Sequence, residues 1–429
     1  MSTEKKQGFS TQQIHAGYNP KEHNNAIQVP IYQTAAFDIT SPERAEKIIH
    51  FEEIAYLYTR VGNPTNAVLE ARVAELDGAA AAVSLASGQA AVSYAILNAG
   101  EGGRVIAAAK IYGGTYDGYR KAYPNLGVQI DLLHNVNDLD EIKSLIKPDT
   151  RAIYIESISN PTIDIANIEA IAQVAHENGL PLIVDNTLAT PYLFNPLKHG
   201  ADVVVYSATK ALSGHGAIIG GLILESGKFN WLGGRHPHFE EEIFTFGNRN
   251  VVETFSQFPF TGRVRTNYLA LLGASLSPFN AFQILQGIET LNLRVKQESE
   301  SALKIAQWLE KQPKVSKVNY AALPSSPSYA LAEKYFPKGV GGLLSFDHSG
   351  TQEEIYLFIN SLTLFSYHAN LGDNRSLVIN SPKTTHHELT PEELIEAGIN
   401  PGTIRISIGL EEVEDLIADL KQAFETSNK

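Results

Sequence analysis

Between residues 104 and 224, short apolar runs recur at intervals that leave room for a helix between them. RVIAAA (104–109), RAIYIES (151–157), PLIVDN (181–186), ADVVVYS (201–207) and AIIGGLIL (217–224) have apolar centres with no polar alternation. A strand with no polar side must be covered on both faces. Ile168, Ile171, Ala172 and Ala175 form a helical stripe between two of these runs, and Asn178-Gly179 stops it. Such strands alternating with amphipathic helices predict an α/β fold with a mostly parallel central sheet and helices on both faces. Ligands in such sheets bind beyond the carboxyl ends of the strands. The residues that follow each run are therefore the first candidates for chemistry.

The flanking regions read differently. Residues 1–62 alternate short apolar stretches with Pro and Asn and read as an arm with little core of its own. Asn63 can cap a helix and Pro64 suits its first position. Leu69, Val73 and Leu76 then share one face, and Gly78 can end the helix. Residues 225–262 contain WLGGRHPHFEEE and GNRNVVETFSQF, many aromatics and few clear strands, and read as an elaborated loop region. Beyond residue 263 come helical patterns, a strand in GGLLSFD (341–347) and another in IRISIGLE (404–411). A last helix carries Val413, Leu416, Ile417, Leu420 and Phe424 on one face. The expected division is an arm at 1–62, a ligand-binding domain at 63–262 and a smaller α/β domain at 263–429.

Composition removes several classes of function. Lys and Arg number 34 against 47 Asp and Glu, a formal charge of −13 that argues against nucleic acid or an anionic membrane as partner. Cysteine is absent, so disulfides, thiolate metal sites and a cysteine nucleophile are impossible. The opening MSTEKKQGFS is polar, and no uncharged apolar run reaches membrane-spanning length. A cytoplasmic protein is expected.

Four segments carry chemistry. VVVYSATK ends at Lys210, just past a buried strand, with Ser207 and Thr209 beside it. Lysine forms Schiff bases with carbonyls when burial frees its amine, although a strand-end lysine is more often merely solvated. Asp185 ends the preceding strand and would enter the same crevice. There it can hold a pyridinium nitrogen protonated, or simply cap a helix. ASGQAA (86–91) opens an apolar helix, where the free amides of Gly88 and Gln89 suit a phosphate. Tyr112 follows RVIAAA and can stack on an aromatic ring or pack as an ordinary strand-end tyrosine.

These pieces belong to a longer series: YTRVGNPT (58–65), SGQA (87–90), YGGT (112–115), ESISNP (156–161), VDNTLATP (184–191), YSATK (206–210), LGD (371–373) and IRISIGLE (404–411). In this order they closely resemble the Cys/Met-metabolism pyridoxal-phosphate enzymes of fold type I, across nearly the whole chain. The resemblance implies that pyridoxal 5'-phosphate is bound to Lys210 as a Schiff base and that Lys210 also moves protons. It implies that Asp185 partners the pyridine nitrogen, that Tyr112 stacks on the ring, and that Gly88, Gln89, Ser207 and Thr209 cradle the phosphate. Asn160 matches a residue near the ring oxygen and the substrate carboxylate, and Arg405 matches the carboxylate clamp. Tyr58 and Arg60 match a pair that reaches the phosphate from a neighbouring subunit. The resemblance thus implies a homo-oligomer, usually a tetramer built from two dimers.

The length, the aromatic insertion at 225–262, YLYTRVGNPT (56–65) and SPFNAFQILQGIETLNLR (277–294) resemble the O-acetylhomoserine sulfhydrylase branch of that family. The expected reaction is γ-replacement on O-acetylhomoserine by sulfide, giving homocysteine and acetate. The alternative is a cystathionine γ-synthase or a methionine or cystathionine γ-lyase on the same cofactor. INSPKTTH (379–386) departs from the usual pattern at Asn380 and Lys383, and HANLGD (368–373) departs before its Leu-Gly-Asp, which leaves the choice of acceptor open. Lys383 is either an attractor for an anionic substrate or a solvated loop residue. Gly214, Gly216 and Gly220 are one residue too widely spaced for a dinucleotide fingerprint and precede a strand. Adjacent His386 and His387 do not have metal-ligand spacing.

Overall fold

The structure is a computed structural model that describes residues 7–387 and 389–427, so the first six residues of the polar opening lie outside it. Among the described residues no helix is long and apolar enough to cross a membrane. The strands are β1 (Ala81–Leu85), β2 (Arg104–Ala108), β3 (Gln129–Leu133), β4 (Thr150–Glu156), β5 (Leu182–Asp185), β6 (Val203–Ser207), β7 (Gly221–Glu225), β8 (Val315–Asn319), β9 (Leu343–His348), β10 (Ser366–Tyr367), β11 (Leu377–Asn380) and β12 (Thr403–Ser407). The first seven form one sheet in the order β1-β7-β6-β5-β4-β2-β3, and the rest form a second in the order β10-β11-β12-β9-β8. In the larger sheet β3, β2, β4, β5 and β6 run parallel, and only the β7 pairings are antiparallel. The expected α/β fold is present.

The reason that the strands are apolar throughout is visible in the packing. Ile153 and Ile155 of β4, with Leu182 and Val184 of β5, face one buried cluster that continues into Leu344, Phe346 and Ile404 of the second sheet. Ala152 and Tyr154, with Ile183, face a second cluster on the opposite side. Alternate residues therefore meet apolar neighbours on both faces, as the period of a strand demands.

Helix α1 (Pro64–Asp77) begins and ends where its sequence indicates. The Asn63 side chain accepts the Thr65 N–H, and Gly78 closes the helix with φ 70°. Leu69, Val73 and Leu76 are buried. Helix α2 (Gly88–Gly100) starts behind Ser87, whose hydroxyl accepts the Ala90 N–H. Helix α3 (Gly113–Lys121) follows Tyr112, α4 (Ile168–Glu177) precedes β5, α5 (Leu291–Leu309) spans toward the second sheet, and α6 (Val413–Ser427) ends the described chain.

Three readings need correcting. The segment 225–262 is more than a loop region. It holds short helical turns at Pro237–Phe239, Phe244–Phe246, Val251–Phe255 and Pro259–Arg263. Its Trp231 stacks on Phe239 at 4.5 Å and on Phe260 at 5.0 Å, all three buried against the larger sheet. Aromatic rings supply burial here without the periodicity that marks a long element. Second, the run 217–224 becomes strand only at Gly221, leaving Ile219 exposed. Third, β1, β3, β8, β10 and β11 are strands in addition to the apolar runs above.

Asn63 is 1% exposed and also donates to the Tyr32 carbonyl at 2.8 Å and the Thr59 hydroxyl at 3.0 Å. Asn63→Ala removes the cap and these donors together. It should cost about 1–3 kcal/mol, read as a lower urea midpoint. An unchanged midpoint would show that the arm and the helix start do not depend on this residue.

Candidate active site

The parallel strands of the larger sheet end side by side, and the residues at those ends open on one cavity of ≈ 230 Å³. Gly88, Gln89, Tyr112, Asn160, Asp185, Ser207, Thr209, Lys210 and Arg405 all line it. Tyr58 and Arg60 do not. Tyr58 is 46% exposed, with the Arg60 guanidinium 5.1 Å over its ring, and the pair belongs to the arm rather than to this chain's cavity.

Ser207 closes β6 and Lys210 follows in a tight turn, its N–H donating to the Ser207 carbonyl at 3.2 Å. The Lys210 Nζ donates to Asn370 Oδ1 at 2.8 Å. Burial, and then the nearby Arg405 cation, lower its pKa to about 8. A carboxylate partner would have raised it. An amine without one stays close to its reactive neutral form.

Asp185 ends β5. It accepts the Thr187 N–H at 2.9 Å and the Tyr154 hydroxyl at 3.4 Å. Burial raises its carboxyl, and these donors oppose the rise. Tyr112 sits at the start of α3, lines the cavity and is 47% exposed. An uncovered ring of that size on a cavity wall is a platform for a flat ligand.

The opposite wall is the start of α2. Ser87 takes the N–H groups of Ala90 and Ala91, and the helix itself offers no acceptor for those of Gly88 and Gln89. The helix stands very close to the strand ends. A Cβ at Gly88 would lie 2.4 Å from Ser207 Cβ, and one at Gly221 would meet the Ser87 carbonyl. Thr209 faces the cavity while its hydroxyl donates to the Gly220 carbonyl and accepts the Gly220 N–H. The Gln89 side-chain amide donates to the Tyr123 hydroxyl at 3.3 Å. Backbone amides at a helix start with hydroxyls beside them suit a phosphate. Together with a free amine, a ring platform and a buried carboxylate, they fit a phosphorylated pyridine aldehyde.

Arg405 arrives from the other sheet, in the middle of β12, and is 3% exposed. Its Nη1 donates to Asn160 Oδ1 at 3.1 Å and its Nη2 to the Asn370 carbonyl at 3.0 Å. Its planar fork at the cavity wall suits a carboxylate.

Glu156 and Asn370 also line the cavity. Glu156 ends β4 and faces the cavity. The strand-end argument used for Asp185 applies equally to it. Asn370 touches both Lys210 and Arg405, yet it lies 160 residues from the lysine, and no local pattern marks it. Lys383 is exposed and outside the cavity lining, while Thr385 lines it. Asn380 is buried and donates to the Thr403 carbonyl at 3.3 Å. His386 is buried and pushed down to about 4 by burial and by Arg405, so it is neutral. Among the described residues no group of three metal-ligating side chains occurs.

The lowered Lys210 pKa has a direct readout. Reductive methylation of Lys210 in the cofactor-free protein, followed by peptide mass spectrometry, should reach half its maximal rate near pH 8. In Arg405→Ala the half-point should move up, because a neighbouring cation is gone. A profile that rises only near the ordinary lysine value of about 10.4 would remove the case for an activated amine.

The Cys/Met metabolism PLP-dependent enzyme model matches residues 10–425. The chain is 42% identical to an O-acetyl-L-homoserine sulfhydrylase of Leptospira meyeri, over 96% of this chain and 95% of that one. It is 41% identical to O-acetyl-L-homoserine sulfhydrylase 1 of Thermus thermophilus, over 97% and 99%. A Campylobacter jejuni crystal structure, described as an O-acetylhomoserine (thiol)-lyase with N'-pyridoxyl-lysine-5'-monophosphate, superposes with a TM-score of 0.94 at 40% identity, covering 97% of this chain and 99% of that one. With the fold, the cavity and the full-length match in agreement, the chain belongs to the Cys/Met metabolism PLP-dependent enzymes.

Proposed function

We propose that this protein is an O-acetylhomoserine sulfhydrylase, replacing the acetate of O-acetyl-L-homoserine with sulfide to give L-homocysteine. The observation that carries an amino-acid substrate is the meeting of Lys210 and Arg405 at Asn370 in one cavity. The sulfur chemistry is supported by full-length relatives at about 40% identity that carry that name.

Pyridoxal phosphate, when bound, supplies an electron sink for charge at the substrate's α-carbon. The amides of Gly88 and Gln89 hold its phosphate, with Ser207 and Thr209 beside them. Tyr112 covers the ring, and Asp185 holds the proton on the ring nitrogen. Lys210 would hold the cofactor through its Nζ, and with that amine free it would take the α-proton. Arg405 binds the substrate carboxylate and fixes which bond at the α-carbon faces Lys210. Asn160 and Asn370 keep the guanidinium from turning. After the α-proton, a β-proton leaves. Its C–H electron pair forms the β,γ double bond and expels acetate from the γ-carbon. Sulfide then adds at the γ-carbon, and protons return to the β- and α-carbons.

The reading includes a homo-oligomer, a tetramer of two dimers, in a cytoplasmic location. Residues 1–62 serve as an arm whose Tyr58 and Arg60 complete a neighbouring subunit's phosphate site, which agrees with their place outside their own cavity. Residues 63–262 bind the cofactor, and 263–429 form the smaller domain that carries Arg405.

Purified protein given O-acetylhomoserine should form homocysteine only with sulfide, well in excess of 2-oxobutyrate. Little homocysteine would instead direct attention to cystathionine γ-synthase and γ-lyase substrates. Lys210→Ala should lack the visible cofactor band that borohydride bleaches. Arg405→Lys keeps the charge but loses the fork and should raise KM for the amino acid about tenfold or more.

A further inference from the structure

Glu156 and Asp185 end adjacent parallel strands and are register partners. Register partners share a face of the sheet, and strands lie about 4.8 Å apart. Both carboxyls accordingly line the same cavity. Two carboxylates that close, shielded from water, do not both ionise.

Their hydrogen bonds decide which one keeps a proton. Asp185 uses Oδ1 for the Thr187 N–H and Oδ2 for the Tyr154 hydroxyl. Glu156 uses Oε1 for the Tyr112 N–H at 3.0 Å, but Oε2 is buried with no hydrogen-bond partner. A buried anionic oxygen without a donor is the costlier arrangement, whereas a protonated oxygen there has no charge to solvate. Burial, followed by the Asp185 charge, pushes the Glu156 carboxyl far above the usual carboxylate range, against the opposing pull of the Tyr112 and Asn160 backbone N–H groups.

The groups packed around Glu156 do not offer it a cation. Lys110 and His134 share the cleft behind it, but Lys110 lies 3.9 Å from Asp164 and His134 lies 3.2 Å from Glu141. Tyr119, Tyr123 and Tyr154 are raised by burial and stay neutral. Lys210 and Arg405 line the cavity with their bonds directed to Asn370 and Asn160.

We infer that Glu156 is a positioning residue that works as a neutral carboxylic acid, holding the Tyr112 backbone and leaving the negative charge at the strand ends to Asp185. Tyr112 thereby gains an anchor that does not compete with Asp185 for a cationic ring nitrogen. The inference rests on the proposed roles of Tyr112 and Asp185 and is independent of the thiol the enzyme accepts.

Infrared spectra of the cofactor-loaded wild type and E156Q at neutral pH test it without any substrate. The difference spectrum should show loss of the carbonyl stretch of one protonated carboxyl. The buried carboxyls of Asp77, Glu225 and Glu298 remain in both proteins and cancel. No loss would mean that Glu156 is ionised and would overturn the inference. Titration of cofactor-free protein with pyridoxal phosphate tests the anchor. E156A should bind about tenfold more weakly or worse, and E156Q, a neutral isostere, should restore most of the affinity. Wild-type affinity in E156A, or an equal loss in both variants, would also overturn it. Should E156A fail to fold, the infrared comparison with E156Q decides.

Discussion

The guanidinium of Arg405 ties the two sheets together. It is almost wholly buried, so each of its donors must find an acceptor or leave a charge stranded. One acceptor, Asn160, follows a strand of the larger sheet, and the other is the carbonyl of Asn370, beside the smaller sheet. Asn370 then uses its own side chain to hold the Lys210 amine. A single chain of hydrogen bonds thus runs from Arg405 through Asn370 to Lys210. Among the described residues neither cation is paired with a carboxylate, and burial lowers the pKa of both, Lys210 to about 8 and Arg405 to about 10.

The sequence made the larger sheet legible because β2, β4, β5 and β6 are buried on both faces and so lack polar interruption. It made β3 illegible for the opposite reason, because Gln129–Leu133 is an edge strand with a charged residue in its middle. β1 (Ala81–Leu85) is as buried as β2, but its alanines fit a helix as readily as a strand. The helix that starts at Pro64 was readable because a cap, a proline and a closing glycine all act locally. The segment 225–262 was readable as an exception to the rhythm, but its buried aromatic stack depends on partners distant in the chain.

The candidate site divides along the same line. Lys210, Asp185, Gly88 and Tyr112 each follow a strand or start a helix, so a rule about strand ends finds them. Glu156 obeys the same rule and was passed over in favour of its neighbour. Asn370 could not be found this way, because its importance comes entirely from two contacts made across the fold. Tyr58 and Arg60 were legible only by resemblance, and their exposure away from their own cavity is what a residue serving another chain would show.

The close approach of α2 to the strand ends divides the cavity into a part that can vary and a part that cannot. At Gly88 and Gly221 the main chain and Ser207 leave no room for even one added carbon. No side chain can be grown from that wall to reshape the ligand's anchoring end without moving a helix off a sheet. Ala369 and Thr385, which also line the cavity, come from loops and irregular turns. Change can therefore be accommodated at Ala369 and Thr385, whereas the wall at Gly88 and Gly221 cannot accept it.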